Sequence, residues 1–236
     1  MLAAALSTAI AAAVAAQRLG DGCTPGQVRQ AVATADTRRI GRIGSDDVVL
    51  VALESSCMCG SANCPWLVVR PGARQPVLLS TYAFAVDVVA GNEALPRLRE
   101  HAHNSALVTD ETLDAFRGGA YVAVRAERVR GDTGARKPDT IPIRFAAGAS
   151  SAPLRGRVSL GWYDAYAFDA AAGQHLMLTG ANGKALELTL FAPANGAIVE
   201  LRAGNAVVLP RAGTYRLHVE GRDERETPYA LTLAIR

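Results

Sequence analysis

From Ile141 onward the chain is cut into short pieces by glycine and asparagine. Turn formers recur at Ala172-Gly173, Asn182-Gly183, Asn195-Gly196, Arg202-Ala203-Gly204-Asn205 and Ala212-Gly213. The runs between them fall at residues 141–145, 152–159, 164–170, 175–180, 185–191, 198–202, 213–220 and 229–235. Within them bulky and small or polar residues alternate. Tyr166 and Phe168 face away from Ala165 and Ala167, and Tyr215, Leu217 and Val219 share one side. Short strands of period two with regular turns leave few architectures open, and they predict an all-β antiparallel sandwich over 139–236. Tyr166, Phe168 and Tyr215 read first as its core.

The first half has a different texture. Thr24-Pro25 marks a helix start, with a capping side chain and a proline tolerated at the first helical position. Val28, Ala31, Val32 and Ala35 then follow at helical spacing. Residues 47–53, 66–70 and 76–84 read as strands of an antiparallel meander. Residues 93–103, with Leu95 and Leu98 on one face, and residues 110–116 read as helices. Gly118-Gly119 ends the second of these, and residues 120–125 return as a strand. The expectation is therefore an α+β N-terminal half over 20–130, followed by the sandwich. The polar, turn-rich stretch 130–139 is the expected boundary.

Residues 1–16 carry no charge, and Ala13-Val14-Ala15 fits a small-residue cleavage pattern. They read as a signal peptide and place the protein in the periplasm. The alternative is a short buried helix. The segment is shorter than the roughly 20 residues that span a bilayer, and no cysteine stands at the cleavage point for a lipid anchor. The net charge of +3 is small and dispersed. It gives no argument for nucleic acid or a membrane surface, and neither a nucleic-acid partner nor membrane insertion is expected. Monomer and homodimer are both open.

In an oxidising compartment Cys23, Cys57, Cys59 and Cys64 read as two disulfides. Cys57 and Cys59 stand too close to favour each other. The pairings expected are Cys23 with Cys57 or with Cys59, and Cys64 with the one left over. A Cys₃His metal set completed by His101 or His103 is an alternative, but Cys-x-Cys-x₄-Cys is not a usual zinc spacing. A thiol redox site would want Cys-x-x-Cys at a helix start. The two histidines read as lying on an exposed helix end. No metal and no cofactor are expected. Ser150-Ser151 lacks the context of a nucleophile elbow, and no catalytic set is legible, so no enzymatic role is expected.

Two resemblances add to this reading. Cys59-Gly60-Ser61-Ala62-Asn63-Cys64 resembles a Cys-Gly-Ser-x-x-Cys segment of small exported proteobacterial proteins of unknown role. The second half carries, in order, Phe145, Gly148, Ser150, Ser151, Ala152, Gly156, Tyr163, Asp164, Tyr166, Phe168, Gly173 and Gln174. Leu190-Phe191 with Pro193 follows, then Leu209-Pro210-x-Ala212-Gly213-Thr214-Tyr215, and a last strand opening at Tyr229. From Ile141 to Arg236 the pattern resembles bacterial periplasmic inhibitors of goose-type (g-type) lysozyme. The resemblance implies a β-sandwich whose projecting loops enter a lysozyme's substrate cleft. The matching loop positions are Trp162, Tyr163 and Asp164, and separately Arg222 and Arg225. The implied partner is a g-type lysozyme or a rival bacterium's muramidase effector, the latter making this an immunity protein. Surface pairing of Arg222 and Arg225 with Asp223, Glu224 or Glu226 is the alternative role for the arginines. Non-inhibitory binding of cell wall, glycan or an envelope protein is the alternative function.

Overall fold

The computed structural model describes residues 2–91, 93–181, 185–193, 196, 198–201 and 203–236. By internal packing the chain divides between Glu127 and Arg128 into two compact units. Most of both is β-structure.

The first unit opens with helices α1 (Leu2–Ala16) and α2 (Pro25–Ala33). Thr24 caps α2 as its sequence predicts: its side chain accepts from the Gln27 amide, and Gln27 reaches back to the Thr24 amide. A meander follows, β1 (Asp36–Ile43), β2 (Asp46–Ala52), β3 (Cys64–Val69) and β4 (Val77–Ala83), antiparallel throughout. Then come β5 (Ala85–Val89), β6 (Arg97–Ser105), β7 (Val108–Arg117) and β8 (Ala120–Arg130), neighbours in that order in a second sheet. The unbroken apolar run in β2 has a simple cause, since both of its faces are buried. Val49 and Val51, with Leu53 just beyond the strand, pack with Ile10, Ala13, Val14 and Ala31, while Val48 and Leu50 pack with Val86, Leu95, Leu98 and Tyr121. Helix α1, which lies within the segment read as an export signal, lays Ile10, Ala13 and Val14 on this core.

Two expected helices are strands. Residues 97–105 and 108–117 form the hairpin β6–β7, with Leu98 opposite Asp114 and Glu100 opposite Thr112. The three-residue spacing of Leu95 and Leu98 that suggested a helix belongs to two different settings, a loop and a strand. Cross-strand partners decide such short segments over intrinsic propensity. His101 and His103 accordingly lie on β6, not at a helix end. Strands β1 and β5 also went unread.

Cys23 bonds Cys57 and Cys59 bonds Cys64, one of the two pairings left open by the sequence. All four sulfurs are thus engaged in disulfides, which leaves no free thiol among them. The Cys59–Cys64 loop is held by Asn63, whose amide both donates to and accepts from the His103 backbone at 3.0 and 2.8 Å.

In the second unit the last residues of β8 turn through Gly134 into β9 (Arg136–Pro138). The stretch 130–139, read as a boundary, is thus an ordered hairpin beyond the division. The remaining elements are β10 (Ile141–Pro142), β11 (Ser151–Val158), β12 (Asp164–Ala170), β13 (His175–Ala181), β14 (Leu186–Phe191), β15 (Ile198–Glu200), β16 (Ala206–Val208), β17 (Gly213–Gly221) and β18 (Thr227–Ile235). They form sheets β10-β12-β17-β14-β15 and β11-β18-β13-β16. One core takes Tyr166, Phe168, Leu188, Leu190, Tyr215 and Leu217 from the first and Leu154, Leu176, Leu178, Tyr229, Leu231 and Leu233 from the second. Pairing is antiparallel except for β10, which runs parallel to β12 with Ile141 opposite Tyr166. The expected turns at 182–183 and 195 lie outside the described residues.

Candidate partner-binding site

Two registers bring distant loops together. β11 pairs with β18 so that Val158 faces Thr227, and β12 pairs with β17 so that Asp164 faces Val219. Both pairings end at the same edge, and the loops 159–163 and 222–226 emerge side by side. Leu160 donates its amide to the Asp223 carbonyl at 2.7 Å. The backbones touch at Gly221, where a Cβ would sit 2.6 Å from the Ser159 Cα. Only glycine allows that approach.

The sequence chose these loops, but not which of their side chains face outward. Trp162 is 4% exposed and Asp164 6%. Both point into the unit, contrary to the expectation of projecting contacts. Asp164 is held by two groups, Lys137 at 2.8 Å and the Tyr229 hydroxyl at 2.6 Å, and Tyr229 in turn meets the Tyr166 hydroxyl at 2.6 Å. Gly156 is required beside them, because a Cβ there would collide with the Asp164 carboxylate. Burial, then the bond to Asp164, pushes the Tyr229 phenol far above its ordinary value. Burial lowers the Lys137 ammonium, and the carboxylate of Asp164 opposes that shift. The pair is a desolvated salt bridge whose lone pairs are also hydrogen-bonded, the geometry that offsets the cost of burying charge.

Tyr163 is half-buried in a stack. The Arg128 guanidinium, fully buried, lies 3.5 Å over its ring and donates to its carbonyl at 2.9 Å. On the ring's other contact is His218 at 4.5 Å, itself 4.5 Å from Phe191. Burial first, then the charges of Arg216 and Arg128, push His218 down to about 4, so it is neutral at pH 7.

The outer rim is formed by other side chains. Arg222 and Arg225 are exposed. Arg222 donates Nε to the Leu186 carbonyl at 3.1 Å, which aims it without neutralising it. Arg225 is placed by its own amide, which donates to Asp223 at 3.0 Å. Glu226 pairs instead with Arg157 at 2.9 Å. Among the described residues neither rim guanidinium forms an ion pair with Asp223, Glu224 or Glu226, so the surface pairing weighed from the sequence is not formed in this structure. Leu160, 57% exposed at the loop tip, was missed. A lone leucine before a glycine carries no sign in the sequence of which way it points.

In the first unit the described residues contain no group of three His, Cys, Asp or Glu able to hold a metal. His101 lies between Asp87 at 3.0 Å and Glu111 at 3.6 Å. Glu100 and the buried Asp114 form a carboxyl pair, with Thr81 donating to Glu100 at 2.7 Å. Burial, then Asp114, raise Glu100 to about 7.

Part of the chain is similar to periplasmic inhibitors of g-type lysozyme. The inhibitor PliG of Salmonella Typhimurium is 24% identical over 42% of this chain and 100% of its own length, with a TM-score of 0.38. PliG of Aeromonas hydrophila is 24% identical over 41% of this chain and 96% of its own, at 0.35. The pre-peptidase C-terminal domain of a Bacillus anthracis collagenase is 17% identical over 43% of this chain and 99% of its own, at 0.27. No protein-family profile matches the chain, and no curated protein does. No described helix is long and apolar enough to cross a membrane.

Proposed function

We propose that this is an exported, non-enzymatic protein whose second unit inhibits a peptidoglycan-cleaving lysozyme, a g-type lysozyme or a bacterial muramidase effector. The observation that carries the reading is the rim. Two loops distant in sequence are locked together and present Arg222 and Arg225, unpaired with the neighbouring acids, beside an exposed Leu160. A lysozyme cleft is built around catalytic carboxylates. Guanidinium is the side chain suited to grip them, and an apolar tip beside it supplies area that excludes water. The sequence pattern from Ile141 to Arg236 points the same way, and two sheets that share one core support the sandwich it implies. Trp162, Tyr163 and Asp164 contribute as the inner frame of the loop, with the Tyr163 edge as their contact to a partner. The uncharged N-terminal segment supports export to the periplasm.

The test is a titration of the oxidised protein against g-type, chicken-type and invertebrate-type lysozymes on cell-wall substrate. Stoichiometric loss of g-type activity is expected. Replacing both arginines (R222A/R225A) should weaken inhibition by about 3 kcal/mol, roughly a hundredfold, with an unchanged far-UV spectrum. Wild-type inhibition that survives the double substitution would sink the site assignment. Retention on purified peptidoglycan without any inhibition would favour a wall-binding module.

A further inference from the structure

The stretch 130–139 reads in the sequence as a boundary between halves. In the structure it is bonded to the very loop that the sequence selects as the site. Lys137 on β9 reaches three parts of that loop's base: its Nζ lies 2.8 Å from Asp164, donates to the Arg157 carbonyl at 2.6 Å, and stands 4.8 Å over the Trp162 ring. Arg128, at the other end of the hairpin, is stacked on Tyr163 and bonded to its carbonyl. Asp139 completes the frame, accepting from Arg216 on β17 at 3.1 Å. The side chains before and after Gly161 therefore have different fates. Leu160 is left outside, while Trp162, Tyr163 and Asp164 are each drawn inward by a cation of the hairpin.

The hairpin's continuation joins the edge of β12 as the short parallel strand β10, with Ile141 opposite Tyr166. Ala165 is fully buried, and Ile143 donates its amide to the Ala167 carbonyl at 2.7 Å.

We infer that residues 128–138 are a positioning arm of the partner-binding edge, in which Lys137 and Arg128 fix the loop 159–163 so that Leu160 and the Arg222–Arg225 rim are presented together. This rests on the reading of that edge as the binding site. The arm acts on the partner only through the loop. A lysine at position 137 can do this because its ammonium has three donors to distribute among carboxylate, carbonyl and ring face. Loss of the grip would leave the loop tied by Leu160 to Asp223, by Gly161 to the Glu220 carboxylate on β17 and by the Ser159–Trp162 backbone pair, with its base unheld on the arm's side. A looser loop binds more weakly because its ordering is then charged to association.

The experiment uses the full chain with four variants: Lys137→Met, the charge-balanced pair Lys137→Met/Asp164→Asn, the conservative Lys137→Arg, and Arg128→Met. Amide hydrogen exchange is followed peptide by peptide, and affinity is measured for a g-type lysozyme. In the charge-balanced pair, which leaves no ion buried alone, exchange at 159–163 should rise about tenfold or more while β13 and β14 stay protected, and affinity should fall by a similar factor. Lys137→Arg should restore part of both. Arg128→Met should loosen the same loop from the Tyr163 side. Unchanged exchange at 159–163 in the charge-balanced pair overturns the arm, whatever the affinity. Faster exchange with unchanged affinity overturns its role in binding. If the wild type binds no lysozyme, the proposed function fails, yet the exchange result still decides whether the arm fixes the loop.

Discussion

The two units bury carboxylates in opposite ways. In the second, Asp164 is matched by Lys137 and the Tyr229 hydroxyl, so its charge is compensated where it sits. In the first, Asp114 faces Glu100, another acid, and one of its oxygens has no hydrogen-bond partner. Two like carboxyls in low dielectric cannot both ionise cheaply, so the pair retains a proton into the neutral range. The first unit is also stapled by two disulfides, whereas the second contains no cysteine. The comparison shows how one side chain type serves two ends. A paired carboxylate fixes a loop, while an unpaired couple costs stability and ties the fold to pH.

The largest expected effect breaks the compensated side. Asp164→Ala would leave the Lys137 ammonium buried and unpartnered by charge, at a cost of about 3–5 kcal/mol. Chemical denaturation followed by Trp162 fluorescence should show it, with exchange protection lost in the second unit. A loss well under 1 kcal/mol would mean that water reaches Lys137 and the pair is not desolvated. Next comes the covalent staple. Replacing Cys23 and Cys57 by alanine opens a link of sequence separation 34, and the chain-entropy estimate for a loop of that size is about 4 kcal/mol. That loss should fall on the first unit, read by exchange in β2 and β3, and leave β12 and β17 unchanged.

The third prediction sharpens the acidic side, and it has a sign. Glu100 is raised from 4.5 to about 7 in the folded protein, by burial and then by Asp114. Ionisation therefore costs more in the folded state than in the unfolded chain. Stability from this site is greatest below about pH 4.5 and declines as pH rises toward 7, after which it is level. Glu100→Gln should remove that slope and stabilise the first unit above pH 7 by about 1–2 kcal/mol, discounted for partial solvent access. Melting midpoints at pH 5 and pH 8 decide it. An equal midpoint difference in wild type and variant would reject the shared proton.

How legible each unit was follows from where its pairing information lies. In the second unit the period-two alternation of Tyr166 and Phe168, or of Tyr215, Leu217 and Val219, is local, and β11 to β14, β17 and β18 stand close to where the pattern puts them. Tyr215 adds a local clamp, its hydroxyl donating to the Arg211 carbonyl at 2.7 Å. In the first unit β6 mixes Leu98, Glu100 and Ala102 on one side with Arg99, His101 and His103 on the other. Neither side reads as a core, because Glu100 is tolerated there only through Thr81 and Asp114, on β4 and β7. β1 is similar: Arg38, Arg39 and Arg42 suit an exposed edge and show no apolar period.

The sequence by itself determined the turns at Gly173 and Gly213, the alternation of the second unit, the cap of α2 and the four cysteines as two bridges. These are properties of neighbours along the chain, and their physics acts within a few residues. Tertiary structure alone decided which cysteines join, that Trp162 and Asp164 turn inward while Leu160 turns out, and that Lys137 and Arg128 bond the loop 159–163. Those outcomes depend on where a buried charge finds its partner. Lys137 and Asp164 are far apart in sequence, and only the folded sheets bring them within a hydrogen bond.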